Sequence, residues 1–65
     1  MLNRVKELTE RADCLMRINE RFQLDIEIEK RMGKEGMVRY YEKRVEDNRK
    51  EIEIVRQMLN EENGN

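Results

Sequence analysis

The side chains that could perform covalent chemistry are few in this chain. Cys14 is its only thiol, and the sequence contains no histidine or serine to activate that thiol or to replace it as a nucleophile. A single cysteine without histidine also cannot supply the ligands of a structural zinc site. We therefore expect Cys14 to be a small apolar side chain beside a helix interface, and we predict no catalytic residue, no metal and no cofactor.

Two other patterns, carboxylate pairs and a glycine-containing segment, lack the surroundings that acid–base catalysis or phosphate binding would need. Carboxylate pairs such as Glu27 with Glu29 lie in strongly charged stretches, which are typical of solvated helix faces rather than of enclosed acid–base sites. The segment 33–36, Gly-Lys-Glu-Gly, lacks the preceding strand and the Ser or Thr of a phosphate-binding loop. The sequence thus predicts a protein that is not an enzyme and takes no small-molecule substrate.

The composition indicates a long helical structure. Charged residues make up 45% of the 65 residues, aromatic residues 5%, and proline is absent, which is typical of coiled coils and long helical hairpins. The charges balance to a net charge of −1 and the apolar residues recur at helical spacing, so disorder is not expected. A chain this short builds a thin core and often needs a partner to complete it.

The same composition bears on where the chain works. No apolar run approaches the roughly 18 residues of a membrane span, and residues 2–8 are too polar for a signal peptide. A lone thiol suits a reducing compartment. We expect a cytoplasmic protein without a membrane partner.

Two stripes of apolar residues, at alternating spacings of three and four, define the architecture. The second stripe covers positions 38–59 with one polar interruption, Asn48, and the first covers positions 5–26 with one interruption, Asn19. Such a stripe is the seam along which one helix packs on another. The first comprises Val5, Leu8, Ala12, Leu15, Asn19, Phe22 and Ile26, and the second Val38, Tyr41, Val45, Asn48, Ile52, Val55 and Leu59.

The phase of the stripe breaks near the middle of the chain, next to Gly33 and Gly36. A glycine adopts the left-handed conformation that closes a helix, so the break predicts a turn and an antiparallel hairpin in a single domain, residues 1–65. We predict helix 1 over about residues 3–32, a turn at 33–34, helix 2 over about 35–61 and a frayed tail at 62–65. One continuous helix in a long intertwined dimer is the alternative, which would cost about 1 kcal/mol of helix propensity per glycine.

Folding the chain back at this turn brings the two polar interruptions together. In the resulting register Leu15 faces Ile52, and Asn19 faces Asn48. A shift by one heptad would set each asparagine against an apolar residue, and stranding its amide would cost about 1–3 kcal/mol. We therefore predict that Asn19 and Asn48 lock the register of the two helices.

One broad face of the hairpin carries apolar residues that the seam does not use. A two-helix hairpin only half-buries its seam, so we predict that this apolar face is the partner or dimer interface. Charged residues occupy its middle, where we expect an ion pair between Asp25 and Arg44. Either a second copy covers the face, giving a four-helix bundle, or the helix of another protein lies on it. The predicted members of the apolar face are Cys14, Ile18, Ile28, Met32, Met37, Tyr40, Ile54 and Met58.

These observations predict a non-catalytic protein–protein interaction module, such as a small adaptor, inhibitor or co-chaperone, that is also a homodimer. In size and layout the hairpin resembles Rop-type RNA-binding hairpins, which dimerise into four-helix bundles, and the small hairpin co-chaperones of type III secretion needle subunits. The first resemblance implies an alternative, a homodimeric nucleic-acid-binding bundle, although the near-neutral charge argues against it. Its support is the basic residues Arg17, Arg21, Lys43, Arg44, Lys50 and Arg56, which are interleaved with carboxylates.

Overall fold

The computed structural model describes residues 2–64, and the side chains of residues 3–64. Within this range the chain forms two α-helices and no strand, α1 over Leu2–Arg31 and α2 over Glu35–Asn63. The helices pack against each other as a hairpin whose Cα atoms extend over 49 × 14 × 11 Å. The predicted all-α helical hairpin is confirmed.

The turn between the helices is closed by Gly33. Its φ of 75° lies in the left-handed region, where a residue with a Cβ atom is strained. The N–H of Gly33 donates to the carbonyl oxygen of Lys30 at 3.1 Å, and the N–H of Lys34 donates to that of Glu29 at 3.0 Å. These two bonds form a Schellman motif, which satisfies carbonyls that the end of α1 would leave unpaired. The alternative of one continuous helix is therefore wrong.

The core of the hairpin is the seam between its helices. Near the turn, Ile26, Val38 and Val45 form a cluster, and Phe22 and Tyr41 pack against it with their ring centroids 5.4 Å apart. Each buried aliphatic side chain contributes about 1.5–3 kcal/mol, so this thin core supplies most of the stabilisation available. The most deeply buried side chains that the structure describes all belong to the two predicted stripes: Ala12, Leu15, Ile26, Val38, Val45, Ile52 and Val55.

The helix ends differ slightly from the predicted bounds. Helix α1 stops at Arg31, and α2 continues to Asn63, into the segment predicted to fray. A contact between the two helix ends accounts for the longer α2, because Arg4 Nε lies 3.1 Å from Glu62 Oε1. Asn65, which completes the predicted tail, lies outside the described residues.

Candidate interaction surface

The two asparagines of the seam meet near the middle of the hairpin. Asn48 Nδ2 donates a hydrogen bond to Asn19 Oδ1 at 2.9 Å, and Asn19 Nδ2 donates a longer one, 3.4 Å, to the carbonyl oxygen of Val45. Both side chains are half-buried, so the loss of either partner would leave a poorly solvated amide. The structure contains the contact that a register lock requires. That the pair selects the register stays a prediction.

The α1 part of the predicted apolar face is open to solvent over most of its length. Ile28 is 45% exposed and Met32 58%, and Cys14 is also exposed, whereas Ile18 is half-buried. The four residues share one side of α1, because at 3.6 residues per turn they fall within an arc of about 80° around the helix axis. This side of α1 therefore presents apolar groups to solvent at both ends of the hairpin.

Helix α2 presents a similar stripe next to that of α1. Tyr40 is 53% and Ile54 55% exposed, Met37 is exposed, and Met58 is half-buried. The ring of Tyr40 meets that of Tyr41 edge-on, with centroids 5.5 Å apart, so the exposed ring is held by the aromatic group of the core. Tyr40 is therefore a partly pre-organised anchor on the surface.

A shallow groove lies between the two helices and runs from the middle of the hairpin towards its open end. Its volume is about 260 Å³, and an ion pair between Arg11 and Glu51, which connects the two helices, forms part of its wall. The structure thus brings two members of the apolar face, Cys14 and Ile18, to one groove. The complete lining is Arg11, Cys14, Leu15, Ile18, Arg44, Asn48 and Glu51.

The charged middle of the apolar face is largely unpaired. Arg21, Asp25 and Arg44 make no ion pair with any residue that the structure describes, so the expected bond between Asp25 and Arg44 is not formed. Asp47 Oδ1 has only an exposed contact, 3.6 Å from Lys43 Nζ on the same helix. Such exposed pairs contribute little, so these charges remain available to a partner.

The opposite side of the seam is polar. A groove there is lined by charged and amide side chains, including Gln23, Lys30, Glu42 and Arg49. Two exposed apolar residues lie outside the predicted face: Met16 lines another groove on this polar side, and Leu24, 57% exposed, lies away from the seam. Isolated apolar residues of this kind are normal on a protein surface and do not extend the apolar face.

One feature of the seam was missed by the sequence-based prediction. Glu29 lies three residues beyond Ile26 and so continues the first stripe, but its charge excluded it from the predicted core. The structure half-buries Glu29 and leaves its Oε2 atom buried without a hydrogen-bond partner. A carboxylate in this position weakens the seam next to the turn, because an unsatisfied buried acceptor costs about 1–3 kcal/mol.

The described residues contain no group of three or more His, Cys, Asp or Glu side chains that could hold a metal ion. Neither helix, over the part that the structure describes, has a segment long and apolar enough to cross a membrane.

No protein-family model matches the chain, and no curated protein or solved structure is significantly similar to it. Its function has to be argued from its own surface.

Proposed function

We propose that the chain is a non-catalytic protein–protein interaction module, such as a small adaptor, inhibitor or co-chaperone, whose apolar face is covered by a second copy in a homodimeric four-helix bundle. The observation that carries this proposal is the exposure of large apolar side chains along one side of the hairpin, among them Ile28, Met32, Tyr40 and Ile54. Exposed apolar groups arranged in a stripe mark an interaction site more strongly than the same groups scattered singly.

The total surface of the hairpin supports the same conclusion. It exposes 5446 Å² at a mass of 8.0 kDa, whereas a compact monomer of that mass would expose about 4,500 Å². The surplus, roughly 900 Å², matches the about 800 Å² that each partner buries in a standard specific interface. One broad face of a body 49 Å long and 14 Å wide is also of this order. A second hairpin laid on the face would remove about this much surface from each chain.

The chemistry of the face suits a protein partner. Methionine side chains adapt their shape to a partner, and Met32 and Met37 flank the turn end of the face. The unpaired charges of its middle, Arg21, Asp25 and Arg44, include both signs, so the face can complement a copy of itself.

A double substitution tests the proposed surface. Ile28→Glu with Ile54→Glu should leave the hairpin largely helical, because both side chains are already about half exposed. It should abolish association, because each carboxylate buried without a partner costs several kcal/mol. Leu24→Glu is the matched control, since Leu24 is equally exposed but lies off the face. Sedimentation velocity gives the mass of each variant, and circular dichroism gives its helicity.

The result of this experiment separates the possible occupants of the face. Loss of the dimer in the double variant and its retention in the control support the proposal. A double variant that sediments like the unmodified dimer would place the interface elsewhere. An unmodified chain that is monomeric, but binds another protein through Ile28 and Ile54, would replace the second copy by a heterologous partner.

Nucleic-acid binding remains the alternative function. Its basic residues are partly neutralised in the structure: Lys43 lies near Asp47, and Lys50 Nζ lies 3.9 Å from Glu46 Oε1. A protein that binds through phosphate contacts loses affinity steeply with salt. Titration with an RNA duplex at two salt concentrations tests this alternative, and tight binding with a steep salt dependence would favour it over the proposed module.

A further inference from the structure

The order of residues along the apolar face indicates how two copies would meet. Resting on the proposed homodimer, we infer that the hairpins pack antiparallel, with the turn of one beside the open end of the other. A two-fold axis across the long direction of the hairpin then lays α1 on α1 of the second copy and α2 on its α2. The two stripes and the charges that the single hairpin leaves unpaired both favour this arrangement.

The α1 stripe has the same order of apolar and charged residues from either end. From the open end it presents two apolar residues, a cation, an anion and two more apolar residues. When the stripe lies antiparallel on its own copy, apolar residues meet apolar residues and each charge meets its opposite. The pairs across the interface are Cys14 with Met32, Ile18 with Ile28, and Arg21 with Asp25, each occurring twice.

The stripe of α2 matches itself in part. Met37 meets Ile54, and Arg44 meets Asp47. Tyr40 meets Glu51 instead of an apolar residue. Counted from the paired asparagines at 1.5 Å per residue, the midpoint of the α2 pairs lies within about 2 Å of the height of the α1 midpoint. One two-fold axis therefore serves both helices.

Glu51 distinguishes this arrangement from its rival. In a parallel dimer α1 would lie on α2 of the second copy, and the carboxylate of Glu51 would face the aliphatic side chain of Ile18. In the antiparallel dimer Glu51 faces Tyr40 instead, whose hydroxyl can donate a hydrogen bond to the carboxylate. Glu51 already pairs with Arg11 within the hairpin. Burial against Ile18 would remove water from that pair without adding a partner, whereas Tyr40 adds a hydrogen-bond donor, so the antiparallel dimer is favoured.

Disulfide trapping tests the orientation with the native thiol. Met32→Cys, with Cys14 kept, should give a covalent dimer on mild oxidation, because positions 14 and 32 are close only between antiparallel copies. Within one chain they lie eighteen residues apart, about 27 Å along the helix axis, and cannot bond. Ile54→Cys, also with Cys14 kept, is the matched variant that would form a covalent dimer in the parallel arrangement. The unmodified chain and Cys14→Ala with Met32→Cys are the single-thiol controls.

A charge exchange gives a second test that needs no added thiol. Arg21→Asp alone should weaken dimerisation at least about tenfold, because it sets two anions against each other. Adding Asp25→Arg should restore it in the antiparallel dimer, where positions 21 and 25 face one another. In a parallel dimer they face Asp47 and Arg44, so the double exchange would place like charges together and weaken association further.

The outcomes are separable from those of the proposed function. Covalent dimers from Met32→Cys but not from Ile54→Cys, with rescue by the double charge exchange, support the antiparallel dimer. The reverse pattern, in a chain that is dimeric by sedimentation, overturns the orientation and leaves the proposed module in place. A chain that is monomeric by sedimentation overturns the self-association on which both rest.

Discussion

The half of the hairpin next to the turn and the half at its open end hold their helices together differently. In the turn half, Ile26, Val38 and Val45 form a cluster covered by the rings of Phe22 and Tyr41. No ion pair joins the helices in this half, among the residues that the structure describes. Its outer side carries most of the strongly exposed apolar groups.

The open half has a core of aliphatic residues only, and one of them, Ala12, is small. Ion pairs of Arg11 with Glu51 and of Arg4 with Glu62 join its helices. Near the turn, the chain itself keeps the helices close, so the outer side chains are free to contact a partner. Away from the turn, side-chain contacts alone oppose separation of the helices. Connectivity thus explains why the two halves use different contacts.

The largest expected effect comes from truncating a buried side chain in the turn half. Ile26→Ala should lower the free energy of unfolding by about 2–5 kcal/mol, since the four other residues of its cluster cannot all move to fill the space. Leu24→Ala, on the same helix but exposed, should change it by less than about 0.5 kcal/mol. Urea unfolding at fixed protein concentration measures both. Similar losses in the two variants would mean that the turn half has no packed core.

The asparagine pair lies between the two halves, and the effects of replacing its two members should be coupled. Replacing Asn19 or Asn48 alone by Leu should lower stability by about 1–3 kcal/mol, because the remaining amide loses its partner. Replacing both should raise the melting temperature above that of the unmodified chain while loosening the choice of register. Thermal melts of the four chains test the coupling. A double variant less stable than either single one would rule out the register lock.

Glu29 should destabilise the packing of the turn half. Glu29→Leu should raise the free energy of unfolding by about 1–3 kcal/mol, because it replaces an unsatisfied buried oxygen with an apolar side chain in the seam. Glu27→Leu is the control, since Glu27 is exposed and belongs to no stripe. Urea unfolding compares the two, and equal changes would show that Glu29 is not part of the seam.

Two glycines near the turn should respond with opposite signs. Gly33→Ala should lower stability by about 1–2 kcal/mol, because its left-handed backbone strains any Cβ atom. Gly36→Ala, inside α2 with open space around the added methyl group, should raise stability by up to about 1 kcal/mol. Denaturant midpoints measure both. Stabilisation by Gly33→Ala would instead indicate a helix that runs through the turn.

The smallest effect is expected from the ion pairs of the open half. Arg11→Gln should lower stability by no more than about 1 kcal/mol, because both partners are substantially exposed. The loss should shrink at 1 M salt, where exposed charges are screened. Lys50→Gln, which removes a contact within α2, is the control. A salt-independent loss larger than that of Ile26→Ala would reverse the comparison between the halves.

The sequence specifies the fold more completely than the surface. Spacing of apolar residues identifies the seam, and Gly33 with the break in phase identifies the turn, because both follow from helix geometry. Apolar spacing does not predict the burial of Glu29, because a search for apolar residues passes over a charged residue at a seam position. Apolar spacing also does not predict the Arg11–Glu51 pair, because the rotamers of long exposed side chains decide which ion pairs form. The role of the apolar face depends on a partner, and one chain does not contain that information.

The most direct test of the proposed homodimer is sedimentation equilibrium of the unmodified chain over a range of micromolar concentrations. We predict a mass of twice 8.0 kDa at the upper end, falling towards the monomer on dilution, as expected for a face of standard interface size. A mass of 8.0 kDa at every concentration would contradict it, and the apolar face would then have no second copy to cover it.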